Sequence, residues 1–558
     1  MVAKSRTAEE VDYIVVGSGS AGSVLANRLS EDGRHRVLVL EHGGSDRSVF
    51  IQMPSALAIP MNSPRYDWGY HTEPEPHLGG RSLHCPRGKV IGGSSSINGM
   101  VYVRGHALDF ERWADEGARG WSYRDVLPYF RRAETRAEGG DPYRGESGPL
   151  NTSYGRLANP LYRCFIDAGR QAGYAESEDL NGFRQEGFGR FDMTVHRGRR
   201  WSAANAYLRP ALRRANLELR SQCLVTRILL EKGRATGVAY LRGGRETIVH
   251  ARREVILAGG PINSPQLLEL SGIGRPDELG RHGVPVRHAL NGVGENLQDH
   301  LEFYFQMACT KPITLYSALG PMAKLRIGLR WLLAKDGLGA TNHFEVGGFI
   351  RSRAGIRHPD IQFHFLSLAI SYDGTRQVRR HGFQAHVGSM RSKSRGWVRL
   401  RSADPHDRPA ILFNYMSHPD DWAEMRACVR LTREIFAQDA FAPYRGEELS
   451  PGADVVDDAQ IDAFVRRSVE SAYHPCGTCR MGDPADPMTV VDPQARVVGL
   501  DGLRVVDSSI MPSITTGNLN APTIMLAEKC ADAILGRPPL APIDAPFHVA
   551  PDWETSQR

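Results

Sequence analysis

Two glycine-rich segments carry the clearest chemistry in this chain. Residues 17–22 read Gly17-Ser18-Gly19-Ser20-Ala21-Gly22, and residues 87–99 read Arg87-Gly88-Lys89-Val90-Ile91-Gly92-Gly93-Ser94-Ser95-Ser96-Ile97-Asn98-Gly99. The first follows an apolar run, Asp12 to Val16, and opens a helical pattern reaching about Leu29. A second apolar run, Val37 to Leu40, ends at Glu41. Strand, glycine turn, helix, strand and acid in that order hold a dinucleotide. Gly17 permits the tight turn, Gly19 lets the backbone approach a pyrophosphate, and Gly22 lets the helix pack on the strand. Ser20 opens the helix, whose unsatisfied N–H groups and positive dipole end face the phosphates. Glu41, 19 residues after Gly22, is expected to bind a ribose hydroxyl pair.

One pyrophosphate does not need two such loops. A longer cofactor with a ribityl chain and a fused ring does, which points to FAD rather than NAD. Gly92, Gly93, Ser94 and Asn98 are the candidate contacts from the second loop.

Two stretches then carry a resemblance. Gly88-Lys89-x-Ile91-Gly92-Gly93-Ser94-Ser95 and the run Gly260-Pro261-Ile262-Asn263-Ser264-Pro265-Gln266-Leu267-Leu268, with Ser271 to Gly274 beyond it, are similar to the two signatures of glucose–methanol–choline flavoprotein oxidoreductases. The likeness runs from about residue 11 to beyond 540. Asn342 to Ser352 and His474-Pro475-Cys476-Gly477-Thr478-Cys479 resemble the choline-oxidising branch of that family. The resemblance implies oxidation of choline to betaine aldehyde, and onward to glycine betaine through the hydrated aldehyde. It leaves open another primary alcohol, or a hydroxynitrile lyase that shares fold, FAD and active-site histidine. An NAD-dependent dehydrogenase is the reading from the first loop alone. The electron acceptor stays open between a membrane quinone and oxygen.

Alcohol oxidation needs a base for the hydroxyl proton and a stabiliser for the alkoxide, while the cofactor takes the hydride. The family's active-site histidine falls on His474, and its partner falls on Asn518, 44 residues on. His474 is expected to accept the proton, and Asn518 to donate a hydrogen bond to the substrate oxygen. A trimethylammonium group has no N–H to donate, so it needs aromatic faces and a carboxylate. Glu345, set among Phe344, Val346 and Gly347, matches the carboxylate of choline-oxidising relatives, with Tyr473 and Trp68 as expected cage walls. Val225 and Asp507 join the cofactor contacts, Asp507 because it resembles the family's cofactor-contacting acid. Ile97 stands where some relatives carry the histidine that tethers flavin. Aliphatic carbon cannot form that bond, so non-covalent FAD is expected.

These residues require a doubly wound α/β sheet assembled from distant pieces. Val255 to Ala258 reads as a returning strand, with Ser264 as N-cap, Pro265 as first helical residue and Gly272 as stop. Leu503 to Val506 reads as a further return. Residues 10–155, 200–305 and 460–537 are expected to form a discontinuous Rossmann-like FAD-binding domain. Residues 156–199 and 306–459 would form an α+β substrate domain with a mixed or antiparallel sheet, on the alternation of Ile361 to Phe365 and Trp397 to Leu400. The proline-rich 538–558 reads as an extended or disordered tail. Residues 322–335 form a basic amphipathic helix, expected to pack on the domain, with a membrane surface as the alternative.

Composition is that of an ordinary globular protein: of 558 residues, 41% are apolar and 24% charged. No apolar run is long enough to span a bilayer, and Met1 to Arg6 shows no secretory signal. Eight scattered cysteines argue for reduced thiols and a cytoplasmic protein, with peripheral membrane association left open. Cys476-x-x-Cys479 lacks a second ligand pair at zinc spacing, so no metal is expected. A formal charge of +6 with scattered arginines leaves no nucleic-acid footprint.

Overall fold

A computed structural model describes residues 9–370 and 378–558; the N-terminal residues read above for a secretory signal lie outside them. β1 (Glu9–Val16), α1 (Ser20–Leu29) and β2 (Val37–Leu40) follow one another as the glycine cassette requires. β3 (Arg245–Leu257) lies parallel to β1 on its other side, with Val16 opposite Leu257. Leu217–Arg220 adds in parallel to β2, and Leu503–Val505 to β3. β1, β2, the end of β3 and Leu503–Val505 bury nearly continuous apolar runs, since both faces are covered there. The sheet is not wholly parallel: strands Leu224–Glu231 and Arg234–Arg242 extend it as an antiparallel hairpin, which carries Val225.

α2 (Gly260–Leu270) begins five residues before the expected start. Ser264 is therefore not its N-cap. Asp507 accepts hydrogen bonds from the Gly260 N–H (2.9 Å) and the Ser264 hydroxyl (2.6 Å), so an acid from the far end of the chain sets this helix start. Gly272, at φ +78°, ends the helix as read.

The second sheet is antiparallel, in the order Arg445–Ser450, β4 (Leu301–Cys309), β6 (Gly382–Ser389), β5 (Ile361–Leu366), Val346–Ile350 and Gly187–Arg190. Phe303, Phe305, Phe363, Phe365, Phe383, Ala385 and Val387 build an apolar core on one face. The alternation read from Ile361 to Phe365 has an unexpected cause. Gln362 and His364 are buried too, so the polar side turns to an internal cavity rather than to solvent.

α3 (Pro321–Ala334) buries only Trp331, whose indole donates to the Gly198 carbonyl (2.6 Å). The expected packing of its leucine face on the domain does not occur. The proline-rich tail has no helix or strand, yet it is docked: the Ile543 N–H donates to Arg124, His548 to Phe183, and Arg351 Nη1 to the Ser556 carbonyl (2.7 Å).

The second glycine loop feeds a short strand, Val101–Tyr102, that pairs with Asp192–Met193. Fully buried Arg144 ties that region together, bridging Glu134 (2.6 Å), Asp179 (2.7 Å) and Asp192 (3.0 Å). Removing one partner from such a network leaves buried charge uncompensated, at about 3–5 kcal/mol. Arg144→Ala should therefore lower the apparent Tm by about 5 °C or more in a thermal melt. An unchanged melt would show that the network does not hold this region.

Candidate active site

A cavity of about 500 Å³ runs from the C-terminal ends of β1 and β2 to the polar face of β4, β5 and β6. Gly17, Gly19, Ser20, Glu41, Gly93, Ser94, Asn98, Val225 and Asp507 line it. Gly22 and Gly92 do not. Gly22 packs α1 against the turn, where a Cβ would meet the Gly17 carbonyl at 2.0 Å. Gly92 closes its loop, its N–H donating to the Ser18 carbonyl (3.1 Å).

The two glycine loops touch. A Cβ on Gly93, at φ +54°, would come within 2.7 Å of the Gly19 Cα. Their backbones thus form one continuous cradle. No side chain caps α1, and none caps α4 (Asn520–Ile534), so the uncapped N-termini of both helices face the same cavity. The Ser20 hydroxyl joins them by donating to Asn520 Oδ1 (2.7 Å). Uncapped N–H groups at a glycine cradle suit a pyrophosphate. The Nδ1 atom of His42, which lines the cavity beside Glu41, is buried without a partner. These features fit a long dinucleotide cofactor such as FAD. Glu41 accepts from the Ser18 N–H (2.9 Å), the Ser18 hydroxyl (2.8 Å) and the Gly43 N–H (2.6 Å), and burial pushes its carboxyl up.

At the other end, His474 Nε2 lies 3.0 Å from Asn518 Nδ2, and His474 Nδ1 lies 3.1 Å from His300 Nδ1. The partners fix the tautomers. His300 Nε2 meets the Met390 carbonyl at 3.1 Å and must donate to it. A neutral His300 then presents a lone pair at Nδ1, which receives the proton on His474 Nδ1. His474 Nε2 is left unprotonated and faces the Asn518 amide. Both rings favour neutrality: burial pushes His300 down to about 4. Burial, then His300, His364 and Arg87, hold His474 well below the ordinary imidazole value.

The loop carrying His474 is fixed from three sides. Asp299 accepts from the His474 N–H (2.6 Å) and from the Ser471 hydroxyl, and burial raises its carboxyl to about 6. Arg87 Nη2, from the second glycine segment, donates to the Tyr473 carbonyl (2.6 Å). The Tyr473 N–H donates to Ser471 Oγ (2.8 Å), holding a tyrosine at φ +66°, a conformation unfavourable for most side chains.

The expected substrate carboxylate is elsewhere. Glu345 is buried, but its oxygens accept from the Leu157 N–H (2.6 Å) and the Thr341 hydroxyl (2.8 Å), away from the cavity lining. Glu302 lines the cavity instead, with Phe344, His364, His386 and Tyr473. Glu302 Oε1 accepts from His386 Nδ1 (3.0 Å), whose Nε2 faces the Gln384 amide (2.7 Å). The amide donates to that Nε2, so the proton at His386 Nδ1 points to Glu302, which has no arginine or lysine partner among the described residues. Trp68 also lines the cavity, but at the Glu41 end, stacked on His42 at 4.8 Å. Cys476 and Cys479 are buried free thiols, both pushed up by burial.

Sequence reasoning missed Glu302, His364, His386, Asp299 and His300. For the first three a signal was present: Glu302 and Gln306 on β4, Gln362 and His364 on β5, and Gln384 and His386 on β6 alternate with apolar residues; Asp299 and His300 precede β4 and gave none.

Two family models described as GMC oxidoreductase match residues 11–302 and 392–527. The chain is 59% identical over 549 residues to a protein of Brucella ovis named oxygen-dependent choline dehydrogenase, covering 98% of this chain and 100% of the other. It is 58% identical to one of the same name from Photobacterium profundum, covering 98% and 97%. Among solved structures, pyridoxine 4-oxidase from Mesorbium loti superposes with a TM-score of 0.86 at 33% identity, over 94% of this chain and 99% of that one. Aspergillus oryzae formate oxidase superposes at 0.89 with 26% identity, over 95% and 98%. With both signatures, the cofactor cradle and the full-length likeness in place, the chain belongs to the GMC oxidoreductase family, FAD-dependent enzymes that oxidise CH–OH groups.

Proposed function

We propose that this enzyme oxidises choline to betaine aldehyde, and the hydrated aldehyde onward to glycine betaine. The observation that carries it is a carboxylate with no arginine or lysine partner among the described residues, Glu302, in the same cavity end as an unprotonated imidazole nitrogen, His474 Nε2. A quaternary ammonium offers no hydrogen bond, so charge and aromatic faces must recognise it. Glu302 supplies the charge, and Tyr473 and Phe344 supply the faces. Bound FAD supplies the hydride acceptor. His474 Nε2 accepts the hydroxyl proton, and the Asn518 amide donates to the oxygen as it gains negative charge. The hydrated aldehyde is itself an alcohol, so the same residues can act twice. Gly17, Gly19, Ser20, Gly93, Ser94 and Asn98 hold the cofactor, with Glu41 and Val225 toward its nucleotide end and Asp507 beside the start of α2.

The 59%-identical Brucella relative supports choline by its name, and that name also favours oxygen over a membrane quinone as acceptor. Oxygen uptake on adding choline separates the two. Eight unpaired thiols support a cytoplasmic enzyme.

Glu302→Gln should raise the KM for choline about 30-fold or more, roughly 2 kcal/mol, and that for the uncharged isostere 3,3-dimethylbutan-1-ol by less than about threefold. Equal effects on both alcohols would overturn the assignment. His474→Ala should lower kcat by about 100- to 10,000-fold with flavin content retained. Because neutral His474 is the active form and burial favours it, kcat/KM should fall only on the acid side, with its midpoint below the ordinary imidazole value of 6.5. A midpoint above that value would remove His474 as the base. Ile97, packed with Ile51, Tyr66 and Val90, offers no atom to bond flavin. Acid precipitation should therefore release all the flavin to the supernatant; yellow pellets would show a tether elsewhere.

A further inference from the structure

α3 is turned inside out relative to an ordinary surface helix. Met322, Leu325, Leu329, Leu332 and Leu333 share one face and are 48% to 86% exposed. The contact with the rest of the protein comes from the opposite side, through Trp331. Trp331 also packs against Gly339 in the following turn, Gly337–Ala340. That turn packs on Pro54–Ala56, beside a segment whose outer side chains, Val49, Phe50 and Ile59, are also exposed. Together with Leu338 these two segments hold nine of the fourteen large apolar residues exposed among the described residues. Exposed apolar residues concentrated in two neighbouring segments mark an interaction surface.

The charges choose the occupant. From Gly320 to Lys335 there are four basic residues and no acidic one. Arg330 is paired with Asp336 (2.9 Å), and the Lys335 ammonium donates to the Trp331 (3.0 Å) and Leu332 (2.6 Å) carbonyls. Lys324 and Arg326 remain exposed, with no acidic partner among the described residues. A second copy of the chain would set this positive edge against itself. An anionic lipid surface would neutralise it while the leucines enter the acyl boundary.

We propose that α3 and the 49–59 segment form a docking surface for an anionic membrane. The surface borders the cavity: Leu57 and Met61, on either side of exposed Ile59, line the cavity wall. Docking would thus set the rim of the active-site cavity at the lipid boundary.

The test is co-sedimentation of the full-length holoenzyme with phosphatidylglycerol vesicles and with neutral phosphatidylcholine vesicles, at low and high salt. Wild type should partition onto the anionic vesicles about tenfold more strongly than onto neutral ones, and salt should weaken this. L329E/L333E should lose about tenfold of that binding, and K324E/R326E should lose most of the preference for anionic lipid. Choline oxidation with a water-soluble acceptor should stay unchanged in both variants. Absence of vesicle binding by wild type, or binding that survives both variants, would overturn the proposal. A dimer in gel filtration that L329E/L333E disrupts, without vesicle binding, would assign the face to a second copy and overturn it equally. Vesicle binding does not depend on choline being the substrate, so the two proposals fail separately.

Discussion

A single proton lies between Nδ1 of His300 and Nδ1 of His474, 3.1 Å apart, and most of the site's organisation serves to keep it there. Two imidazoles can share one hydrogen bond only if one ring donates and the other accepts, so both cannot be cationic. The Met390 carbonyl settles which ring is which, because it accepts from His300 and never donates. The consequence at the cavity is an unprotonated His474 nitrogen whose orientation is set by a carbonyl just past the end of β6, the strand next to β4. Burial alone would favour neutral histidine but would leave its tautomer free; the carbonyl removes that freedom.

The same economy governs the wall opposite. β4, β5 and β6 put phenylalanines into the core on one face and Glu302, Gln362, His364, Gln384 and His386 on the other. A buried polar face costs free energy unless its members satisfy one another. Here the glutamines orient the histidines through pairs at 3.1 Å and 2.7 Å. The wall therefore keeps a fixed arrangement without arginine or lysine, and its one formal charge stays negative. Cofactor cradle and polar wall are tied directly, since Arg87 belongs to the glycine segment yet holds the loop of His474.

Much of this was legible from residues alone. Gly17 to Gly22 between apolar runs specified strand, turn and helix, because few local structures tolerate that glycine spacing. His474 and Asn518, read from a resemblance, are brought within 3.0 Å by the structure. Glu345 misled because apolar neighbours signal burial but not what satisfies a buried acid; here it is Thr341 and a backbone N–H from Leu157. The start of α2 was hidden because Asp507, a partner some 250 residues away, sets it. Periodicity identified α3 as amphipathic, yet it does not say which face lies inward. Trp331, on the side opposite the leucines, decided that.

The nucleotide sheet carries one further consequence, for how the enzyme comes into being. β3 is central, with β1 from the N-terminus on one edge and Leu503–Val505 on the other. Asp507, Asn518 and α4 follow that last strand, and α4 packs directly on α1. A nascent chain therefore cannot complete the cradle or bring His474 to Asn518 until residues 503–534 have left the ribosome. Until then β3 presents an open edge and α1 an uncovered apolar side, the features that recruit chaperones and invite misassembly. Cofactor capture is thus a late, post-translational event, and the supply of FAD helps decide how many finished chains reach the native state.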